Sequence, residues 1–139
     1  MNHANLYTDG GSRGNPGPAG IGIVLIDDQG NQLKSVSQYI GNQTNNIAEY
    51  KALIRGIEIA LDYGIQTITC YLDSELVVKQ INQEYKVKNE GMLMMYRMAV
   101  PLLDSFEQYD VKYIPRSRNS AADALANQAM NEHRVSITG

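Results

Sequence analysis

The chain has 139 residues, of which 43% are hydrophobic and 19% charged, and these values predict a single domain with a core of its own. Its only cysteine, Cys70, excludes an intrachain disulfide, and its apolar surroundings predict a buried strand residue in a protein of the reducing cytoplasm. The sequence has no secretory signal and no apolar run long enough to span a bilayer, so we expect no membrane partner. A net charge of −3 disfavours strong binding to phosphate groups, so any nucleic acid should bind weakly and in a salt-sensitive manner.

The first third of the chain predicts a three-stranded antiparallel meander. The strands are residues 4–9, 20–27 and 32–40, with a turn at 27–31 between the second and third strands. The hydrophobic period then changes to that of a helix over residues 46–63. Gly64 is placed to end this helix in a left-handed conformation.

The remainder of the chain alternates between strands and helices. We predict a strand at 67–73, a helix at 74–82, a polar connector at 83–90, a methionine-rich helix at 91–106, a strand at 110–114 and a helix at 120–132. This order predicts an α/β fold with a five-stranded mixed sheet, in which three antiparallel strands are followed by two parallel ones. The predicted domain covers residues 1–133, and residues 134–139 are predicted to form a C-terminal tail.

Four carboxylates lie in polar, turn-like settings at or near element ends: Asp9, Glu49, Asp73 and Asp123. Each has a local structural explanation, because Asp9 fits a turn, Glu49 fits a capping box starting at Asn46, and Asp73 and Asp123 fit helix starts. Taken together they fit one site, since the carboxyl ends of parallel strands meet at one edge of a sheet. Hard divalent cations such as Mg²⁺ or Mn²⁺ would relieve the repulsion between them.

Four sequence segments closely resemble the type 1 ribonuclease H (ribonuclease HI) family: TDGGSRGNPGPAGIG, TNNIAEYKALIRGIEIAL, YLDSELVVKQI and IPRSRNSAADALANQA. The resemblance runs from about Leu6 to Ala129 and is to the compact form, which lacks a basic protrusion. It implies a ribonuclease H-like fold, whose sheet of three antiparallel and two parallel strands is flanked by helices.

The resemblance also implies an activity. It is the metal-dependent, endonucleolytic hydrolysis of the RNA strand of RNA/DNA hybrids to 5′-phosphate and 3′-hydroxyl ends. In the family, the residues matching Asp9, Glu49, Asp73 and Asp123 bind two divalent ions, Mg²⁺ or Mn²⁺, which are about 3.5–4 Å apart in two-metal sites. Asp9 is expected to bridge both ions.

Contacts to the hybrid are likewise implied by the resemblance alone. They involve the minor groove, where the 2′-hydroxyls of the RNA strand are recognised. The residues at these positions are Ser12, Gly14, Asn15, Asn45, Asn46 and Glu75, and Thr44 with Asn15 could hold a DNA phosphate.

The loop before the last aspartate departs from the pattern of many family members, which carry a histidine there. This chain has arginines instead, and Arg118, or alternatively Arg116, is expected to act electrostatically, because a guanidinium cannot readily serve as a general base. The alternative interpretation is that Arg118 is a solvated loop residue whose removal would change little.

Two other functional classes remain open. A ribonuclease H-like module could bind nucleic acid or regulate with little cleavage, although the complete set of carboxylates argues against this. An oligomerisation module could use Met92, Met94, Met95 and Met98, but these residues are more simply explained as lining a core helix, and we expect a monomer.

Overall fold

The structure is a computed structural model that describes the backbone of residues 2–138 and the side chains of residues 2–133. It contains one five-stranded sheet with the strand order β3-β2-β1-β4-β5. The strands are β1 His3–Ser12, β2 Gly17–Asp27, β3 Gln32–Gln43, β4 Thr67–Leu72 and β5 Gln108–Tyr113. Strands β1 to β3 pair antiparallel, whereas β4 pairs parallel with both β1 and β5. The predicted mixed sheet is therefore confirmed.

The helices are α1 Asn45–Asp62, α2 Glu75–Ile81, α3 Glu90–Asp104 and α4 Ser120–Thr138, with a 3₁₀ turn at Arg116–Arg118. The Thr44 hydroxyl caps α1 by accepting from the Ile47 N–H, so the capping box predicted at Asn46 is wrong. The Ser74 hydroxyl caps α2, so the capping role considered for Asp73 is also wrong. Glu49 and Asp73 therefore do not cap these helices.

Several element ends differ from their predicted positions. Strand β1 continues to Ser12, and β2 already begins at Gly17. Both are longer than predicted because their pairing continues into the glycine-rich segment between Gly10 and Gly20. Helix α4 continues past Glu132 to Thr138, beyond its predicted end. The predicted tail, residues 134–139, falls on this extension. Its side chains and the whole of Gly139 lie outside the described residues, so the division of the chain at residue 133 stays a prediction.

Two glycines allow helices to approach opposite faces of the sheet. A Cβ atom on Gly10 would lie 2.1 Å from the Ala48 carbonyl O of α1, and one on Gly22 would lie 2.0 Å from the Ala122 carbonyl O of α4. Gly10 pairs with Ile21 and Gly22 with Asp9, and neighbouring positions along a strand face opposite sides. Helices α1 and α4 therefore pack closely against opposite faces of β1 and β2.

The main core lies between the sheet and the layer of α1, α2 and α3. Met92 of α3 is buried and Met95 packs against the core, as predicted. Met94 and Met98 are 63% and 49% exposed, so the expectation that all four methionines line a core is wrong for these two. Within residues 2–138, no helix has the length and apolar character needed to cross a membrane.

Candidate active site

The register of the parallel strands brings Asp9 and Asp73 together. The last pair between β1 and β4 is Thr8 with Leu72, so each aspartate is the next residue along its strand. Asp73 immediately follows β4, which ends one residue earlier than the predicted strand at 67–73. Asp9 instead lies inside β1, opposite Gly22, because β1 continues its pairing with β2 after its pairing with β4 has ended.

Glu49 reaches the same edge from α1. The close contact between Gly10 and Ala48 holds the first turns of this helix against β1. One carboxylate oxygen from each of Asp9, Glu49 and Asp73 lies within 4.8 Å of the others. Asp9 and Glu49 are 5% and 6% exposed, so two of these three groups are almost completely removed from water.

Burial and mutual repulsion change the protonation of this cluster. Burial, reinforced by the charges of Asp73 and Asp123, raises the pKa of Asp9 from 3.8 to about 7. Burial, followed by the charges of Asp9 and Asp73, raises the pKa of Glu49 well above its ordinary value. In both cases burial is the main cause, and the neighbouring carboxylates add to it.

The donor set fits a divalent cation. All ligand atoms are carboxylate oxygens, which Mg²⁺, Mn²⁺ and Ca²⁺ accept. The Glu49 Oε2 atom is buried and has no hydrogen-bond partner among the described residues. A cation would satisfy this oxygen, offset the burial of the charged carboxylates and relieve the repulsion between them. Asp9, Glu49 and Asp73 are therefore suited to hold a divalent metal ion.

Asp123 lines the same open cleft of about 370 Å³ as the other three carboxylates. It lies in the first turn of α4, and its Oδ1 atom accepts a hydrogen bond of 3.3 Å from the Arg116 Nη2. It is outside the group of three whose oxygens converge within 4.8 Å. The cleft thus combines a tight cluster of three carboxylates with a fourth carboxylate that is paired with an arginine.

The structure brings Arg116 into the cleft and does not bring Arg118 there. Arg116 and Arg13 are the basic residues that line it, and Arg118 is an exposed residue at the end of the 3₁₀ turn. Arg116 and Arg118 both lie in this short turn, but only Arg116 contacts Asp123. A catalytic role for Arg118 stays a prediction, and the geometry favours Arg116.

The predicted substrate residues divide into two groups. Ser12 and Asn45 line the cleft, whereas the others are outside its lining: Gly14, Asn15, Thr44, Asn46 and Glu75. Two hydrogen bonds join the glycine-rich loop to the start of α1, from the Asn45 N–H to the Asn15 Oδ1 at 2.9 Å and from the Ser12 N–H to the Asn45 Oδ1 at 3.2 Å. Glu75 forms an exposed ion pair with Lys79.

Several residues near the carboxylates, among them Arg13, were not predicted from the sequence. Tyr113 at the end of β5 and Asn127 of α4 line the cleft, and Asn119 donates a hydrogen bond to Asp73. Asn119 carried a usable signal, because asparagine is common immediately before a helix. Tyr113 and Asn127 have no local signal, since only the fold brings them to this edge.

Comparisons with known proteins agree with this geometry. Residues 7–129 match the family described as reverse transcriptase-like. A bifunctional protein of Mycobacterium tuberculosis is 44% identical over 127 residues, which are 91% of this chain and 35% of that protein. The chain thus spans about a third of the length of this relative.

Two solved structures share the whole fold. The RNase H1 of the halophilic archaeon Halobacterium salinarum superposes with a TM-score of 0.91 at 39% identity, covering 94% of this chain and 98% of that one. LC11-RNase H1 in complex with an RNA/DNA hybrid superposes with a TM-score of 0.89 at 40% identity, with the same coverage of 94% and 98%.

Proposed function

The chain belongs to the reverse transcriptase-like family and, within it, to the type 1 ribonucleases H, and we propose that it hydrolyses the RNA strand of RNA/DNA hybrids. The observation that carries the proposal is the convergence of four carboxylates from β1, α1, the end of β4 and α4 on one open cleft. A fold needs no such concentration of buried negative charge for its stability. The products would be 5′-phosphate and 3′-hydroxyl ends.

The proposed cofactor is Mg²⁺ or Mn²⁺, with two ions in the site when substrate is bound. Asp9, Glu49 and Asp73 would hold one position, and Asp9 with Asp123 the other. Such ions supply an activated water and neutralise charge on the phosphodiester. The protein contributes the spacing of its carboxylates and a cleft open enough to admit a nucleic-acid backbone.

The arginines of the cleft would attract and orient the substrate. Arg116 is held beside Asp123, so its guanidinium can contact a phosphate next to the metal ligands. Arg13, which follows Ser12 in the chain, lines the same cleft. Together they would guide a phosphate backbone along the glycine-rich loop toward the carboxylates. The hybrid would therefore enter along the face formed by this loop and the start of α1.

The second candidate function is a ribonuclease H-like module that binds nucleic acid with little cleavage. Two features are compatible with it. Met94 and Met98 of α3 are exposed, and the loop before Asp123 has no histidine. The complete set of carboxylates favours the enzyme, since a module that only binds gains nothing from them. We also propose a cytoplasmic monomer, which fits the unpaired, buried Cys70.

A cleavage assay tests the proposal. Purified protein is incubated with end-labelled RNA/DNA hybrid in EDTA, Mg²⁺ or Mn²⁺, and with single-stranded RNA, double-stranded RNA and double-stranded DNA as substrate controls. We expect cleavage of the RNA strand of the hybrid only when metal is present.

Two matched variants locate the activity. Asp73→Asn should lower the rate by at least about 100-fold, or about 2.7 kcal/mol of barrier. Asp62→Asn makes the same change on an exposed residue at the end of α1 and should leave the rate unchanged. Metal-dependent cleavage that survives Asp73→Asn at the parent rate would exclude this cleft, and binding without cleavage would support the second candidate.

A further inference from the structure

Asn119 is a buried asparagine whose side chain donates two hydrogen bonds into the carboxylate site. It lies between the 3₁₀ turn and α4 and is 1% exposed. Its Nδ2 atom donates to the Thr8 carbonyl O and to the Asp73 Oδ2, each at 2.9 Å. Both partners can only accept, apart from a protonated carboxyl, so the orientation of the amide is fixed by chemistry.

The residue joins three elements that carry carboxylates. Thr8 immediately precedes Asp9 in β1, and Asp73 immediately follows β4. The main-chain carbonyl O of Asn119 accepts from the Asp123 N–H at 3.0 Å, which starts the first turn of α4. A shift of Asn119 would therefore disturb Asp9, Asp73 and Asp123 together.

The unpaired end of the amide indicates why the asparagine is there. The Asn119 Oδ1 is buried and has no hydrogen-bond partner among the described residues. An unsatisfied buried acceptor lowers the stability of the folded state. An asparagine that only stabilised this loop would be expected to have hydrogen-bond partners for both Nδ2 and Oδ1. We therefore attribute the presence of Asn119 to the two hydrogen bonds that its Nδ2 donates.

We propose that Asn119 is a positioning residue that sets the orientation of the Asp73 carboxylate and, through it, the affinity of the site for divalent metal. A hydrogen bond to Oδ2 restricts rotation of the carboxylate and leaves Oδ1 available to bind an ion. Hydrogen-bond partners of metal ligands commonly change metal affinity or activity by about 10–100-fold when they are removed. The inference rests on the proposed metal-dependent function of the same site.

The first test measures Mn²⁺ binding without substrate, by calorimetry or by the electron paramagnetic resonance signal of free Mn²⁺. Asn119→Ala removes both donors, and Asn119→Asp keeps the shape while placing an acceptor against two acceptors. We expect each to raise the Mn²⁺ dissociation constant by at least about 10-fold. The control is Asn82→Ala, because the Asn82 Nδ2 donates to the Val111 carbonyl O at 2.9 Å in the same way, away from the carboxylates.

A second measurement needs no variant and covers the case in which the substitutions prevent folding. In ¹⁵N-labelled parent protein, Mg²⁺ should shift the side-chain amide resonances of Asn119, while those of Asn82 stay in place. Thermal melting of each variant identifies those that are folded. Among folded variants, a structural role alone would lower the melting temperature of both Asn119→Ala and Asn82→Ala without weakening metal binding of either.

The outcomes separate this inference from the proposed function. Mn²⁺ affinity within twofold of the parent in a folded Asn119 variant, or Asn119 amide resonances unmoved by Mg²⁺, overturns the positioning role even if the hybrid is cleaved. Parent protein that binds Mn²⁺ in an Asn119-dependent manner but cleaves no hybrid overturns the proposed function and supports the positioning role. Parent protein that binds no divalent metal overturns both.

Discussion

Asp9 lies in an unfavourable electrostatic environment, since burial and two neighbouring carboxylates raise its pKa to about 7. A raised pKa of an acid means that the folded state holds the proton more tightly than the unfolded state does. Metal-free protein should therefore lose stability as the pH rises from about 4, where unfolded aspartates ionise, to about 7. Above about pH 7 the loss of stability that comes from Asp9 is complete.

Asp9→Asn should remove much of this pH dependence, because the amide keeps the shape without the charge. In EDTA at pH 8, we expect its melting temperature to exceed that of the parent by about 3 °C or more, the effect of roughly 1 kcal/mol in a domain of this size. At pH 4 the two proteins should melt within about 1 °C of each other, as both are then uncharged at this position. Calorimetric melting curves from pH 4 to 8 test this, and parallel curves would contradict it.

The two arginines of the 3₁₀ turn form a natural matched pair at the scale of single residues. Arg116 contacts Asp123 and lines the cleft, whereas Arg118 is exposed outside the cleft lining. We expect Arg116→Ala to lower kcat by at least about tenfold, or about 1.4 kcal/mol. Arg116→Lys should recover only part of this loss, because an ammonium group cannot form the guanidinium fork.

Arg118→Ala should stay within about twofold of the parent rate, or about 0.4 kcal/mol. Steady-state cleavage rates with saturating metal compare the variants. The reverse ranking, with a large loss at Arg118 and none at Arg116, would restore the role that the sequence suggested for Arg118.

At the scale of elements, the sequence predicted which strands and helices exist but not where each one ends. The hydrophobic period of α1 and the left-handed Gly64, with φ of 74°, agree with prediction because both are local properties. The extension of β1 to Ser12 depends on pairing with β2, which no local pattern of glycines reveals. The four carboxylates could be predicted because they lie in segments that resemble a known family, whereas Tyr113 and Asn127 reach the cleft only through the fold.

The close approach of α1 to β1 gives a stability test with a built-in control. Gly10→Ala would place a Cβ atom 2.1 Å from the Ala48 carbonyl O, so the backbone of α1 must move and carry Glu49 with it. Gly11→Ala meets only side-chain atoms, at 3.6 Å and 3.8 Å, which is ordinary contact. We expect Gly10→Ala to lose about 1–3 kcal/mol or more of unfolding free energy, the usual range for overpacking.

Gly11→Ala should change the unfolding free energy by less than about 0.5 kcal/mol, within the range of substitutions that make no special contact. Urea denaturation monitored by circular dichroism measures both variants. Equal losses would mean that α1 adjusts to the added methyl group without strain.

For the whole molecule, the net charge of −3 sets the strength of substrate binding. The negative charge is concentrated in the cleft, where metal would neutralise it, and Arg13 and Arg116 are the basic residues of the cleft lining. Two phosphate contacts predict that the logarithm of the binding constant falls against the logarithm of the salt concentration with a slope of about −2. The dissociation constant at physiological salt should be weaker than about 1 μM, as for other non-specific phosphate binding.

Fluorescence anisotropy of a labelled hybrid with the Asp73→Asn protein in Mg²⁺ measures this slope, because the variant should leave the substrate intact. Arg13→Ala should reduce the slope by about one unit and weaken binding at low salt, since one phosphate contact is lost. A slope steeper than about −5 would indicate that basic residues beyond the cleft take part. Tight binding with a nearly flat salt response would instead require apolar or stacking contacts, for which Tyr113, 48% exposed at the rim of the cleft, is the first residue to substitute.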